Sequence, residues 1–397
     1  MGRSFRPKLI ALLAATALLA GCSNRSADGP VNLTKGIPVG AVLALTGNAN
    51  VYGQDQKIGI DLALAQLNGQ AISLQIEDSG SDEPGANAAF NLQINRGVLA
   101  LIGPTLSQQA FSADPIAQRR GVPVVAPSNT ATGIPEIGHF ISRVSAQSSV
   151  IAPLSIAKAL QINPAIRRAA VFYAQDDAYS TAETVIFQKA LTNKGLKPVT
   201  VQRTQLNDQD FQNQITSALS KKPDLIVLSL QAVDGGNMVR QLRELGYRGM
   251  IVVGNGMNTP NIYPICQKYC DGILIAQAYS PELKNPANQV FLAAFAKAQS
   301  RNPNASTIPP QLTAQAYTAM QVIGEALRRL DTQKPLKSLT VAAARKALMD
   351  EILGGTYQTP LGKISFTPTG EVVQKEFFVA QVRMNPGGRS GRFALLP

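Results

Sequence analysis

The stretch that decides the fold is "GVLALIGPTLSQQAFSADPIAQRRGVPVVAP", Gly97 to Pro127. Its first apolar run, "GVLALIG", breaks at Gly103-Pro104 into small polar residues. Ser107 to Arg119 then carries a helical apolar pattern, and "VPVVAP" opens a second short apolar run. Strand, helix and strand at this spacing make a crossover unit with parallel strands. The same grammar runs outward in both directions. Upstream, "IPVGAVLAL" reads as a strand and "YGQDQKIGIDLALAQLNG" as a helix with Ile58, Leu62, Ala65 and Ile60, Leu64, Leu67 on one broad face. "AISLQIED" is a further strand and Pro84 to Asn95 a further helix.

A second set follows the first. "RRAAVFYA", the helix Thr181 to Asn193, "KPVTVQRT", the helix Phe211 to Ser220, "PDLIVLSLQ", the helix Gly236 to Leu245 and "GMIVVGN" alternate in the same way. Ser180 to Glu183 reads as a capping box for the first of these helices. The tail departs from the alternation after "DGILIAQAYS". It offers helices over Ala287 to Gln299, Gln311 to Leu330 and Val341 to Met349, then "GKISFTPTGEVVQKEFFVAQV", which reads as a hairpin.

Residues 1–21 have the form of a lipoprotein export signal. Arg3, Arg6 and Lys8 precede an apolar stretch too short to span a bilayer, and Leu19-Ala20-Gly21-Cys22 closes it. Cys22 is the expected lipidation site, holding the mature chain at a membrane surface by its acyl chains. Residues 22–35 are polar and aperiodic, a flexible tether. The remaining length, roughly 360 residues, exceeds what one core usually serves, so two lobes are expected.

The formal charge of +12 raises the question of nucleic acid. The bases are scattered singly or in pairs, with no basic run and no aromatic platform, so no nucleic-acid partner is expected. A solvated surface beside an anionic membrane or wall accounts for them. After Cys22 only Cys266 and Cys270 remain, in "PICQKYCDG". In an exported chain they are expected to form a disulfide that pins a helix end. No metal site is expected, because one histidine and two thiolates do not fill a tetrahedral shell.

Open parallel sheets bind ligands beyond the carboxyl ends of their strands. Ser107 stands at such an end, where free amides, a hydroxyl and the positive end of a helix dipole meet in a seat for a carboxylate or phosphate. A plain N-cap is the simpler alternative for Ser107 alone. "VVAPSNTAT" offers a second loop of hydroxyls and amides around Thr130, and two such loops side by side make a polar cup. Tyr52 and Tyr179 each follow a strand by a few residues, placed either to wall a pocket or merely to pack. Nucleotide, serine-hydrolase and zinc motifs are absent, and the single histidine, His139, lacks a nearby nucleophile and reads as a surface or interlobe residue. No catalytic residue and no cofactor are expected.

In their order and spacing, "VGAVLALTGNANVYGQDQKIGIDLALAQLNG", "EDSGSDEPGANAAFNLQI", "LIGPTLSQQAFSADPIAQRRGVPVVAPSNTAT", "YAQDDAYSTAE" and "PLGKISFTPTGEVVQKEFFVAQV" resemble the branched-chain and neutral amino-acid-binding proteins of ABC transporters. That resemblance implies an α/β, type I periplasmic binding fold: two doubly wound lobes, joined by a three-strand hinge, closing on a ligand in the cleft. It implies lobe 1 over 36–145 and 279–357 and lobe 2 over 146–278 and 358–397, with crossings near Val144 to Gln147, Gln277 to Ser280 and Tyr357 to Gly362. Carried over by position, Ser107 and the Thr130 amide take the ligand carboxylate. The Thr130 hydroxyl and the Asn129 backbone region help hold the ammonium, and Ser128 beside them is a further ligand-binding residue. Tyr52, Thr105 and Leu106 wall the first lobe, and Tyr179 closes from the second.

Two positions depart from that family. Where leucine-type binders place a glutamate against the ammonium, "GNGMNTPN" puts Asn255, Gly256 and Met257, and where they offer a tyrosine, Gln231 stands. Asp234 is the first candidate for a replacement acid, unless the ligand is an amide, urea or a simple carboxylate. The implied function is a lipid-anchored, periplasmic or cell-surface solute-binding protein, expected to be monomeric, that hands a neutral or branched-chain amino acid to an ABC permease. A ligand sensor on the same scaffold is the alternative.

Overall fold

The computed structural model describes residues 29–67, 69–300 and 308–397. The expected export signal, Cys22 and the start of the tether lie outside the described residues. The end of the expected tether is docked rather than free. Val31 is buried, its amide donates to Leu339 O at 3.0 Å, and the Val341 amide donates to Gly29 O at 2.9 Å.

The first lobe winds through β1 (Ile37–Leu43), α1 (Asn50–Leu64), β2 (Ile72–Asp78), α2 (Glu83–Asn95), β3 (Ala100–Ile102), α3 (Ser107–Arg119), β4 (Val124–Ala126) and β5 (Ile141–Arg143). Its five strands are all parallel in the order β2-β1-β3-β4-β5. The second lobe repeats that plan. After α4 (Ser148–Ile162) come β6 (Ala169–Ala174), α5 (Ala178–Asn193), β7 (Thr200–Thr204), α6 (Gln212–Leu219), β8 (Leu225–Ser229), α7 (Ala232–Glu244), β9 (Met250–Val253), α8 (Tyr263–Cys266) and β10 (Leu274–Gln277). Its parallel strands run β10-β9-β8-β6-β7, so each sheet reverses direction once, at β1/β3 and at β6/β8. These reversals are the crevices where an open sheet offers its strand ends to a ligand.

The chain returns to the first lobe through α9 (Pro286–Gln299), α10 (Gln311–Gln333) and α11 (Val341–Gly354). The long α10 is buried on most of its faces because it packs between α1 and the sheet. Its approach to α1 is close: a Cβ at Gly59 would stand 2.1 Å from Thr313 O, so only glycine fits.

The tail corrects the single hairpin expected from the sequence. β11 (Thr356–Thr359), β12 (Gly362–Phe366) and β13 (Val372–Val373) form a small antiparallel sheet whose Tyr357, Ile364 and Phe366 pack into the first core. Only β14 (Phe378–Met384) joins the second sheet, antiparallel to β10, and β15 (Gly391–Leu395) pairs with it in turn. The third crossing therefore lies at 374–377 and not at Tyr357 to Gly362. Leu361, Ile364 and Phe366 pack in the first core, and Val372 bridges that core and the small cluster of Ala146, Ile151, Ala276 and Ala278.

Cys266 and Cys270 are bonded and fully buried, the first ending α8 and the second ending the 3₁₀ turn that follows. Among the described residues no helix is long and apolar enough to cross a membrane.

Candidate functional site

The loops after β1, β3, β4, β6, β8 and β9 face one another across the two lobes and enclose one cavity of ≈ 30 Å³. Tyr52, Thr105, Leu106, Ser107, Ser128, Asn129 and Thr130 line it from the first lobe; Tyr179, Gln231, Asn255 and Gly256 line it from the second. Leu312, at the start of α10, completes the wall. A water needs about 10–15 Å³ on this measure, so an amino acid enters only as the lobes part.

Ser107 is the first residue of α3 rather than its cap; Leu106 is the cap residue, and its amide donates to Gln109 Oε1 at 3.2 Å. The Ser107 hydroxyl is thereby free to reach the next loop, where its Oγ accepts from the Thr130 amide at 3.2 Å and the Ala131 amide at 3.3 Å. The two loops are thus stitched into one cup, with the unpaired first amides of α3 and its dipole behind it. Arg143, fully buried, braces the cup from below: it donates to Ala131 O at 2.7 Å and Asn129 O at 3.3 Å, and it is paired with Glu371 at 2.5 Å.

Thr105 and Ser128 have other duties. Thr105 Oγ1 donates to Gln56 Oε1 at 2.7 Å, and Ser128 Oγ accepts from Gln56 Nε2 and donates to Thr105 O, both at 2.6 Å. Their hydroxyls are spent on holding the strand ends together. Asn129 Oδ1, by contrast, is buried without a partner, an acceptor left over in the cavity wall.

The two lobes touch directly across the cleft. The Tyr52 hydroxyl donates to Gly256 O and accepts from the Ala232 amide, both at 2.6 Å. The Ala178 amide donates to Gln108 Oε1 at 3.0 Å, and Gln311 Nε2 donates to Asn255 Oδ1 at 3.0 Å. Asp55 of α1 faces Thr259 and Asn261 at 3.4 Å, and desolvation pushes its carboxyl up to about 7.

Two sequence expectations on the second lobe change. The helix bearing Tyr179 starts at Ala178 with Asp177 as its cap, so Ser180 to Glu183 is its first turn and not a capping box. Asp177, whose pKa is raised by burial, stands behind the cavity and accepts from Gln231 Nε2 at 3.1 Å. Asp234 does not reach the cavity: its first-turn position in α7 turns it to the Asn207 amide at 3.2 Å, and burial pushes its carboxyl up to about 6. Besides Asp177, the acid near the cavity is Glu183, which is bonded to two lining residues, Tyr179 and Asn255. It takes the Tyr179 hydroxyl at 2.5 Å on Oε2 and, on Oε1, the Asn255 amide at 3.1 Å and Ser148 Oγ at 3.2 Å.

Sequence reasoning missed Glu183, Gly256 and Leu312. The signal for Glu183 was present: it lies four residues after Tyr179, on the same helix face, once the helix is started at Asp177. Leu312 had no local signal. Among the described residues no cluster of three or more His, Cys, Asp or Glu could hold a metal. His139 is exposed and lies 3.3 Å from Asp350, far from this chemistry in the fold.

The periplasmic binding protein family model matches residues 36–389. The chain is 25% identical over 354 residues to the Leu/Ile/Val-binding protein BraC3 of Rhizobium johnstonii, covering 86% of this chain and 90% of that one. Its fold is similar to the crystal structure of the leucine-binding protein LivK of Thermotoga maritima, with a TM-score of 0.78, 25% identity and coverage of 91% and 98%. It is equally similar, at TM-score 0.78, 20% identity and coverage of 91% and 96%, to a solute-binding protein of an ABC transporter of Rhodopseudomonas palustris solved with 3,4-dihydroxybenzoic acid.

Proposed function

We propose, from the premise that this chain belongs to the periplasmic binding protein family, that it captures a small neutral L-amino acid by lobe closure and hands it to an ABC permease. One observation carries the reading: a single cavity is shared by the α3 N-terminus of one lobe and the Tyr179 and Gly256 edge of the other, with no charged side chain in its lining. A ligand there meets both lobes only in the closed form, so binding energy and closure are the same event. The carboxylate takes the stitched cup at Ser107 and Thr130, where amides and the helix dipole favour an anion. Leu106 and Leu312 supply an apolar wall for a neutral side chain. No chemistry is asked of the protein beyond binding and release.

The family implies an extracytoplasmic location. The leader-like stretch before Cys22 supports a lipid anchor that holds the protein beside its permease at the membrane. A second reading, a simple or aromatic carboxylate, is favoured by one feature: no acidic side chain lines the cavity itself. A thermal-shift screen of the chain from Ser23 onward separates the two, using the twenty L-amino acids, short amides, urea, and aliphatic and aromatic carboxylates. A ligand at about 100 times its Kd stabilises the fold by about 2.7 kcal/mol. Shifts by neutral amino acids support the first reading; shifts by des-amino acids alone replace it with the second.

A further inference from the structure

Although the cavity lining carries no charged side chain, one buried carboxylate is bonded to two of its members. Glu183, 1% exposed, lies under the loop Gly254 to Gly256, and a Cβ on Gly254 would stand 1.7 Å from its Oε2. Asp177, the other carboxylate nearby, is committed to capping α5 through the Ser180 amide at 3.1 Å and the Ser180 hydroxyl at 2.7 Å. Glu183 has no capping duty. All its partners belong to the rim of the cleft: Tyr179, Asn255 and Ser148.

We propose that Glu183 is the positioning residue that makes this cleft select solutes bearing an ammonium group, by turning the hydroxyl oxygen of Tyr179 toward the cavity as an acceptor. The proposal rests on the amino-acid reading above and deepens it. The proton count shows how. Tyr179 has one hydroxyl hydrogen, which an ionised Glu183 takes at 2.5 Å, while the Gly256 amide at 2.6 Å fills one lone pair. The phenol oxygen can then only accept from a ligand. Ser148 Oγ lies 3.2 Å from Glu183 Oε1 and 3.3 Å from Thr130 Oγ1. Ser148 is the donor to both, so its single hydrogen is shared between the carboxylate and Thr130 and only Tyr179 is fixed by the charge. An ammonium, which only donates, meets an oriented phenol oxygen backed by a negative charge.

Replacing Glu183 by glutamine reverses this order. The Asn255 amide needs an oxygen, so the glutamine turns its NH₂ toward Tyr179. The phenol then accepts twice and points its hydrogen into the cavity. That arrangement repels an ammonium and suits a carbonyl or carboxylate.

Burial pushes the Glu183 carboxyl up to about 7. An incoming ammonium favours its ionised form, so solute binding near neutral pH expels a fraction of a proton. The titratable groups facing it are Tyr179 and Asp177 of its own helix; Ser148 of α4 and the residues of the Gly254 to Gly256 loop do not titrate.

The test is calorimetry on the chain from Ser23 onward. It measures Kd for the amino acid that shifts the melt most among the twenty, and for the des-amino acid of the same side chain. In Glu183→Gln the preference for the amino acid should fall about 30-fold or more, and the proton released near pH 6.5 should disappear, while the des-amino acid binds as before or tighter. Tyr179→Phe, which cuts the relay and keeps the carboxylate, should lower the preference about tenfold and serves as the test if Glu183→Gln fails to fold. A preference unchanged in a folded variant overturns the role of Glu183 and leaves the amino-acid reading standing. A wild-type protein that binds no amino acid better than its des-amino analogue overturns both.

Discussion

Tyr52→Phe isolates the cost of opening the cleft. The ring of Tyr52 is buried in the second core, although its helix belongs to the first lobe. Phenylalanine keeps that packing and removes only the hydroxyl. The loss deprives Gly256 O of a donor and the Ala232 amide of an acceptor, both at 2.6 Å. In the open form these groups meet water, so the penalty falls on the closed form alone. A neutral buried hydrogen bond contributes about 0.5–1.5 kcal/mol net, and each orphaned buried group costs about 1–3 kcal/mol. For the pair, about 2–3 kcal/mol against closure is expected, a roughly 30- to 150-fold rise in the Kd of the best amino acid. Calorimetry gives the Kd, small-angle scattering the shift toward a longer, open shape, and circular dichroism an unchanged fold. A folded Tyr52→Phe protein that binds within about threefold of wild type would refute the idea that this hydroxyl latches the lobes.

The remaining predictions concern the second lobe. Glu183 has a folded pKa of about 7, raised by desolvation from the ordinary 4.5, so the folded protein holds a proton that the unfolded chain releases. Its contribution is greatest below about pH 4.5 and is lost as pH rises to about 7, on the order of 2–3 kcal/mol, after which the profile is flat. Urea melts without added solute should show a slope of that sign, to which Asp55 and Asp234 also contribute, and Glu183→Gln should make it shallower by the share of Glu183. Gly254→Ala sets a methyl 1.7 Å from Glu183 Oε2 and 2.6 Å from the Tyr179 hydroxyl, both buried. Overpacking of about 1–3 kcal/mol is expected, with loss of solute-induced thermal shift, and a variant that melts and binds as wild type contradicts the geometry. Cys266→Ser with Cys270→Ser opens a very short loop, for which chain entropy gives about 2 kcal/mol. The melting temperature should drop in the variant and, equally, in wild type under reductant, without change in solute preference.

Much of this site can be read along the chain because it is built from strand ends, and strand ends are punctuated locally. Gly103-Pro104 after "LALI" and Pro127 after "VPVVA" mark where loops must face outward, and the polar residues at those marks line the cavity. The placing of Tyr52, Ser107, Thr130, Tyr179, Gln231 and Asn255 around one cavity follows from that rule and from the reversal of strand order in each sheet. Helix starts are less legible. Asp177 and Ser180 are both good caps, and choosing the wrong one hid the fact that Tyr179 and Glu183 share a helix face.

Partner choice is where local pattern stops. Apolar period and turn residues are short-range properties, and the sequence alone determined the alternating α/β order, the outward loops and the absence of a known catalytic motif. Tertiary structure decided which hydroxyl meets which acceptor. Ser107 bonds an amide 23 residues away, and Tyr52 bonds a carbonyl 204 residues away in the other lobe. It also decided that the acid behind the cavity is Glu183 rather than Asp234, and that β11 to β13 stay with the first core. Hydrogen bonds have a reach of about 3 Å, so they register only the final distance between groups, which depends on how every intervening element packs.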